Sequence, residues 1–357
     1  MNIVMVADHA CIRVQKMAIP LIERGHRVHL LARKIPSFYE HYHSFTLCND
    51  VSSMIEAIRL HVSAGQVDVF HCHNEPSYFV TMIKEITDEI PVILDIHDSY
   101  LARSTPEEAR SQLDKGMLCQ HIRVTAEERN NFNLADGLVF PGDHFRSVVS
   151  SEFKLDQPSL TLPSYVPDRF YQYNCRDWHG GLVYEGKVNL PSETAGGSTG
   201  FAYCDYTELA DRTKAINMDF HLYAGRKDDK FVKHYEQRTF LHEPAAYEEL
   251  LRNVTRHDWG LVGNTTATRE WQVAMPNKLF EYMACGVPIV SMNADNCSDF
   301  IREEGVGITV SGPEELAESW KRHREVRNQL IKRRKHWSMN AHIHKLEQFY
   351  GEIKRAA

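Results

Sequence analysis

No Cys-x-x-C pair occurs among the eight cysteines of this 357-residue chain, and Cys72 and Cys285 fall at a strand end and inside a helical pattern. That usage reads as reduced, cytosolic thiols. No apolar run approaches the roughly 18 residues of a membrane span. The opening MNIVMVADH starts directly as a strand, with no signal-peptide pattern. No G-x-G-x-x-G follows a strand, which removes the main signature of a nicotinamide enzyme. Neither G-x-x-x-x-G-K-[ST] nor G-x-S-x-G occurs. An excess of positive charge is missing too: the net charge of −7 argues against nucleic acid as a partner, because phosphate contacts dominate such binding.

What the chain has is the make-up of a globular protein, 43% hydrophobic and 25% charged, long enough for two domains with a core each. In the first half, strands are expected at 2–7, 26–32, 67–71, 91–96 and 137–140. Helical patterns lie around 11–24, 51–64, 76–89 and 105–133. Pro20 should kink the first helix or break it. The second half repeats the scheme, with strands at 181–185, 219–224, 258–262, 287–291 and 306–310. Strands spaced by helices mean βαβ units and parallel sheets. The segment LPSYVPDRFY (162–171) reads as a hinge linker, and PSETAGGSTG (191–200) as a mobile polar loop. Met339, Ile343, Leu346, Tyr350 and Ile353 fall on one face of a final helix.

In open parallel sheets ligands bind beyond the carboxyl ends of the strands. In the first half those ends carry Asp8 and His9, then His71, His73, Asn74 and Glu75, then His97 and Asp98, then Asp143 and His144. Asp8 either faces a ligand or caps the helix that follows it. The H-x-H pair His71 and His73 invites zinc, with His97 or Asp98 as further ligands, but spacing fixes no third ligand and we expect no metal.

The segment MPNKLFEYMACGVPIV (275–290) reads as a helix entered at Pro276–Asn277 and ended by Gly286, followed by a buried strand from Pro288. Free amides at such a helix start attract anions, and Lys278 adds a positive charge there. A capping box would place its acid three residues after Asn277, where Phe280 stands, so Glu281 is not explained as a cap. Either Glu281 serves a ligand with both phosphates and hydroxyls, or the helix is simply amphipathic, burying Leu279, Phe280 and Met283.

These residues resemble the nucleotide-binding motif of GT-B glycosyltransferases, especially glycosyltransferase family 4. There a Glu, seven residues and a second Glu precede a small-residue helix, Gly and Pro. Glu281 matches the second acid, which in the family holds the donor's ribose hydroxyls. The first acid, a donor-sugar contact, would fall at Val273 and is missing, with Glu270 off register by three. PVILDIHDSY (91–100) resembles the strand that ends in a His pointing at the donor sugar. His97 is thus the implied catalytic-site residue, bonding a sugar hydroxyl or the reacting phosphate, with Asp98 orienting its ring. GLVYEGKV (181–188) matches the family's Gly followed by Arg or Lys: Gly186 would let the backbone approach a phosphate and Lys187 would neutralise it. The family's second Lys is absent from NLPSETAGG, and Arg226 or Lys227 either replaces it or is solvated charge. FLHEPAAYEELL (240–251) resembles the place where the base is gripped through backbone groups. Asn264 and Thr265 are further candidate phosphate or sugar contacts, while Asp8, His9 and His73 would lie on the acceptor side.

The resemblance implies an α/β fold of two Rossmann-like domains facing across a cleft. Residues 1–165, completed by the helix at 337–357 crossing back, would form the acceptor domain. Residues 172–336 would form the donor domain. The implied reaction moves a sugar from a nucleoside-diphosphate sugar to an acceptor hydroxyl on a glycan, a lipid-linked molecule or a small molecule. It would retain anomeric configuration and need no cofactor or metal. A nucleotide-sugar epimerase of the same fold, or a degenerate sugar-nucleotide-binding protein, are the other readings. The expected location is the cytoplasm. The basic run KRHREVRNQLIKRRK (321–335) is either a solvated face or a contact with an anionic membrane surface.

Overall fold

The computed structural model describes residues 1–73, 78–112, 115–171, 178–194 and 204–356. Asn74, Glu75 and most of the loop expected to be mobile at 191–200 lie outside them. The chain forms two compact units. One comprises Met1–Arg103, Cys119–Pro167 and Met339–Ala357, the other Ser104–Leu118 and Asp168–Ser338.

The first unit is built on β1 (Asn2–Ala7), β2 (Arg27–Ala32), β3 (Ser44–Leu47), β4 (Val69–His73), β5 (Val92–Asp95), β6 (Gly137–Phe140) and β7 (Ser159–Thr161). Their order across the sheet is β3-β2-β1-β4-β5-β6-β7, and every pairing is parallel. The second unit holds β8 (Leu182–Glu185), β9 (Phe220–Tyr223), β10 (Phe240–Leu241), β11 (Trp259–Gly263), β12 (Ile289–Met292) and β13 (Gly307–Thr309). Its order is β10-β9-β8-β11-β12-β13, again all parallel. Helices covering both faces bury the central strands almost completely, which is why β1 and β11 are near-continuous apolar runs rather than alternating ones. Each sheet reverses its strand order beside its first strand, at β1/β4 and at β8/β11. These are the points where such folds take ligands.

Ten strands stand where the sequence places them, within about two residues at each end. The three it does not predict, β3, β7 and β10, are short and partly exposed, and all three lie at sheet edges. The helix Ile12–Glu23 does not break at Pro20. Proline here falls in the last turn, so only a few residues follow the lost hydrogen bond, and Ile19 and Leu21 remain buried beside it. Of the helix expected over 105–133, the described residues form Pro106–Gln112 and Lys115–Leu134, and 113–114 lie outside them. The last helix, Met339–Ala356, buries Met339, Ile343, Leu346, Tyr350 and Ile353, the predicted stripe, and lies in the first unit. Its fit is close: a Cβ added at Gly137 would stand 2.8 Å from Phe349 and 3.0 Å from Ile353. No described helix is long and apolar enough to cross a membrane.

Candidate active site

In the second unit the chain leaves β8 at Glu185 and turns at Gly186 with φ +124°, a conformation open to glycine and strained for other residues. The missing side chain makes room for a lysine. A Cβ at Gly186 would sit 3.3 Å from Lys278 Cε and 3.4 Å from its Nζ. Lys278 is the second residue of the helix Asn277–Cys285, which Pro276 enters in extended conformation and Gly286 closes in the left-handed region, as the sequence predicts. Its Nζ lies 4.9 Å from the centre of the Tyr184 ring and 5.6 Å from that of Trp271. Burial works to lower the Lys278 pKa, but Tyr184, Glu185, Cys204 and Glu281 outweigh it and raise the value above the ordinary lysine range. The ammonium is therefore fixed as a cation at the β8 side of the strand-order reversal.

Glu281 stands one turn further along, 4% exposed, and its charge helps burial hold the Tyr247 hydroxyl well above its ordinary pKa. Glu185 is 8% exposed, and its backbone N–H donates to the Tyr282 hydroxyl at 3.2 Å. One cation thus sits among two buried carboxylates. Any excess positive potential for an anion comes from the backbone N–H groups of the helix start.

The other expected donor residues are placed differently. Lys187 is exposed, and its carbonyl accepts a hydrogen bond from the Tyr184 hydroxyl at 3.1 Å. Lys278, not Lys187, is therefore the ammonium that lies against Gly186. Arg226 is engaged by Glu193 at 2.9 Å and Asp228 at 2.7 Å, with its guanidinium 4.6 Å from the Phe231 ring centre. Asn264 is fully buried and works as a brace. Its Nδ2 donates to the Asp205 carbonyl at 2.6 Å and its Oδ1 accepts from Thr265 N at 2.7 Å. Asn293 Nδ2 in turn donates to the carbonyls of Asn264 and Thr265, both at 2.9 Å. Val273, where the motif's first acid would stand, is buried at the end of the short helix Arg269–Val273, which also contains Glu270.

In the first unit the strand ends converge on an acid that the sequence reading passed over. Asp95, the last residue of β5, is fully buried and pairs in register with His73 at the end of β4. Arg13, from the helix Ile12–Glu23, grips both its oxygens, Nε at 2.9 Å from Oδ2 and Nη2 at 2.8 Å from Oδ1. His73 Nδ1 stands 3.2 Å and His97 Nε2 2.8 Å from Oδ2. Burial acts to raise the Asp95 pKa, yet Arg13, His97 and His73 hold it well below the usual carboxylate range. Burial likewise acts to lower His97, and Asp95 and Cys11 reverse this, raising it to about 10. Asp95 is thus a carboxylate on the His97 ring, while the expected Asp98 is partly exposed one residue beyond His97. The signal was in the sequence, since residues 95 and 97 share a face by strand alternation.

His97's second nitrogen, Nδ1, faces Cys11 Sγ at 3.5 Å, so a bond from this ring to a substrate has to replace that contact. Asp8 is bound to Arg33 at 3.0 Å, and His9 beside it is exposed. His71 Nδ1 lies 2.7 Å from the Tyr350 hydroxyl. Nitrogens of His71 and His73 and an oxygen of Asp95 come within 4.8 Å of one another. A dication there would compete with the Arg13 guanidinium for the same carboxylate.

With this geometry in hand, similarity to known proteins becomes informative. Residues 202–341 match the family described as glucosyltransferase 3-like, C-terminal domain. The whole chain superposes on sucrose-phosphate synthase from Thermosynechococcus elongatus with a TM-score of 0.71 at 11% identity, covering 100% of both chains. It superposes on HepE from Anabaena, solved in complex with UDP, with a TM-score of 0.67 at 12% identity over 99% of this chain and 100% of that one. AviGT4, a glycosyltransferase of avilamycin A biosynthesis, gives 0.63 at 14% identity, covering 100% and 99%. This is the GT-B glycosyltransferase fold. No curated protein sequence matches the chain. The part matched by the glucosyltransferase family contains Lys278, Glu281, Asn277, Asn264, Thr265 and Arg226, and excludes Gly186 and Lys187.

Proposed function

We propose that the chain transfers a sugar from a nucleoside-diphosphate sugar to an acceptor hydroxyl, with UDP-glucose as the donor to try first. The observation that carries this is the Lys278 ammonium held against Gly186 at the strand-order reversal, on the first turn of a nine-residue helix whose N-terminus is the positive end of its dipole. The choice of donor is supported by the glucosyltransferase description of the matched domain and by the UDP in the HepE structure. In the proposed reaction charge develops on the leaving diphosphate. Lys278 and the amides at Asn277 stabilise it electrostatically in a site that excludes water. Glu281 accepts hydrogen bonds from the ribose hydroxyls. Lys187, exposed on the turn after Gly186, reaches the phosphates only from the solvent side.

The finer reading places the chain with family 4: retaining, independent of a metal, and with the first unit taking the acceptor. On that side His97 and Asp98, with His73, Asp8 and His9 nearby in the first unit, are the proposed residues. Cytoplasmic residence is supported by the free thiols Cys11, Cys48, Cys72, Cys119, Cys204, Cys285 and Cys297. In the basic run, Arg327, Arg333 and Arg334 bond the carbonyls of Gly286, Glu304 and Ala284. Contact with an anionic membrane would fall to the exposed Lys321, Arg322, Arg324, Lys332 and Lys335.

The test is thermal unfolding of wild type and Glu281→Ala with UDP, GDP, ADP and CDP. A ligand at 100 times its Kd stabilises the fold by about 2.7 kcal/mol. We expect UDP to stabilise wild type and to lose most of that effect in the variant. If no nucleotide shifts wild type, the nucleotide-sugar reading falls.

A further inference from the structure

Cys11 occupies the loop after β1, immediately before the twelve-residue helix Ile12–Glu23, and is partly exposed. Its Sγ faces His97 Nδ1 at 3.5 Å, and the opposite nitrogen of that ring is 2.8 Å from Asp95 Oδ2. Asp95 is itself immobilised by two contacts from Arg13. A thiol, an imidazole and a buried carboxylate therefore stand in line, brought together from residues 11, 97 and 95. This is the nucleophile, base and orienting acid of covalent catalysis, recognised by geometry and not by sequence order. Two further features favour the charged sulfur. The free N–H groups of the helix start lie on its side. The Arg13 and Asp95 charges cancel each other, so that an imidazolium–thiolate pair adds no net charge to the cluster.

We propose that Cys11 is a nucleophilic thiol activated by His97, and that it is a site of covalent modification by soft electrophiles such as haloacetamides and peroxides. With a haloacetamide the sulfur forms a bond to the methylene carbon, the carbon–iodine bond breaks, iodide leaves, and the thiol proton stays on His97. With hydrogen peroxide the sulfur takes one oxygen, the O–O bond breaks, and the leaving hydroxide collects the proton from His97 as water. Sulfur is oxidised to the sulfenic acid and peroxide is reduced. Burial raises the Cys11 pKa and the His97 charge more than offsets it, so the thiol lies below its ordinary value. Burial alone pushes Cys72 up, and burial outweighs the opposing charge of Lys278 to push Cys297 up to about 12, so these thiols stay protonated.

The experiment is limited alkylation of the full-length protein with iodoacetamide from pH 5 to 9, with peptide mass mapping of each cysteine. The exposed Cys119 serves as the reference thiol in the same molecule. A thiol held below its ordinary pKa carries more thiolate near neutral pH, which outweighs the accompanying loss of intrinsic nucleophilicity. We expect Cys11 to react several-fold faster than Cys119 near pH 6–7, about the size such a shift supports, with a rate midpoint below that of Cys119. His97→Gln should remove the ratio and move the midpoint up towards that of Cys119. A wild-type Cys11 profile that follows Cys119 overturns the proposal whatever the variant does. So does an unchanged profile in a His97→Gln protein whose circular dichroism matches wild type.

Discussion

Replacing Lys278 by Met keeps most of the side chain's length and removes its charge, which separates the electrostatic role of this residue from its packing. In the nucleotide complex the loss is that of hydrogen bonds between an ammonium and phosphate oxygens, about 1.5–3 kcal/mol. That corresponds to a fall in UDP affinity of roughly 10- to 150-fold. The free protein should also respond. Lys278 interacts with the faces of Tyr184 and Trp271, and it is the positive group against Glu185 and Glu281, both at least nine-tenths buried. Without it these carboxyls are harder to ionise in the folded state, which moves their titration upward relative to wild type. A group whose folded pKa is raised is stabilising at low pH and loses that contribution as pH rises.

The stability gap between wild type and Lys278→Met should therefore be widest at pH 7–8 and narrow as the pH falls through the carboxylate range. Titration calorimetry with UDP reads the first effect, and urea midpoints at several pH values read the second. UDP binding within twofold of wild type by a folded variant would refute the placement of the diphosphate at Lys278. A gap that does not change with pH would refute the charge balance drawn between Lys278 and the two glutamates.

Two other outcomes follow from the fold. Gly263 ends β11 at φ +95°, and a Cβ there would stand 1.8 Å from the Met292 carbonyl oxygen. Gly263→Ala should lower stability by about 3 kcal/mol or more, the strain of the backbone adding to the overlap; a melting temperature within two or three degrees of wild type would show that β11 and β12 shift apart cheaply. In the second unit burial depresses His221 to about 3 and His242 and His257 to about 4; repulsion from neighbouring histidines and, at His242 and His257, from Arg256 adds to it, while the Gly180 carbonyl partly opposes it at His257. Their folded pKa values lie below the unfolded value near 6.5, so their stabilisation is complete above pH 6.5 and is lost as pH falls towards 4. The buried His257 alone contributes of the order of 3 kcal/mol over that window. Urea midpoints that stay level from pH 7 to 4.5 would contradict this, and His97, raised to about 10, acts with the opposite sign only above pH 6.5.

How much of this was readable beforehand depends on the range of the interaction that fixes each feature. The helix Asn277–Cys285 and its stop at Gly286 were legible because both are local: a proline entry, a 3.6-residue apolar stripe, and a glycine able to take the left-handed C-terminal position. The buried strands were legible because burial on both faces writes itself as a continuous apolar run. The edge strand β10, two residues long, has no such run to read.

The candidate sites divide along the same line. His73 and Asp95 meet through the β4–β5 register, which alternation suggests but cannot fix from one strand. Arg13 and Cys11 reach the same point from a helix start 82 and 86 residues away from Asp95 and His97, and no local pattern encodes that distance. The two lysines near Gly186 make the point most directly. By sequence Lys187 is adjacent and Lys278 is remote, yet a strand end at φ +124° turns the adjacent side chain to solvent. The helix after Pro276 brings the remote one against the glycine. Adjacency along the chain favours Lys187, and the tertiary packing of Tyr184 and Trp271 around an ammonium favours Lys278. The charge nearest the turn is thus chosen by the core of the second unit, and the Gly-Lys dipeptide alone does not encode which ammonium packs against the glycine.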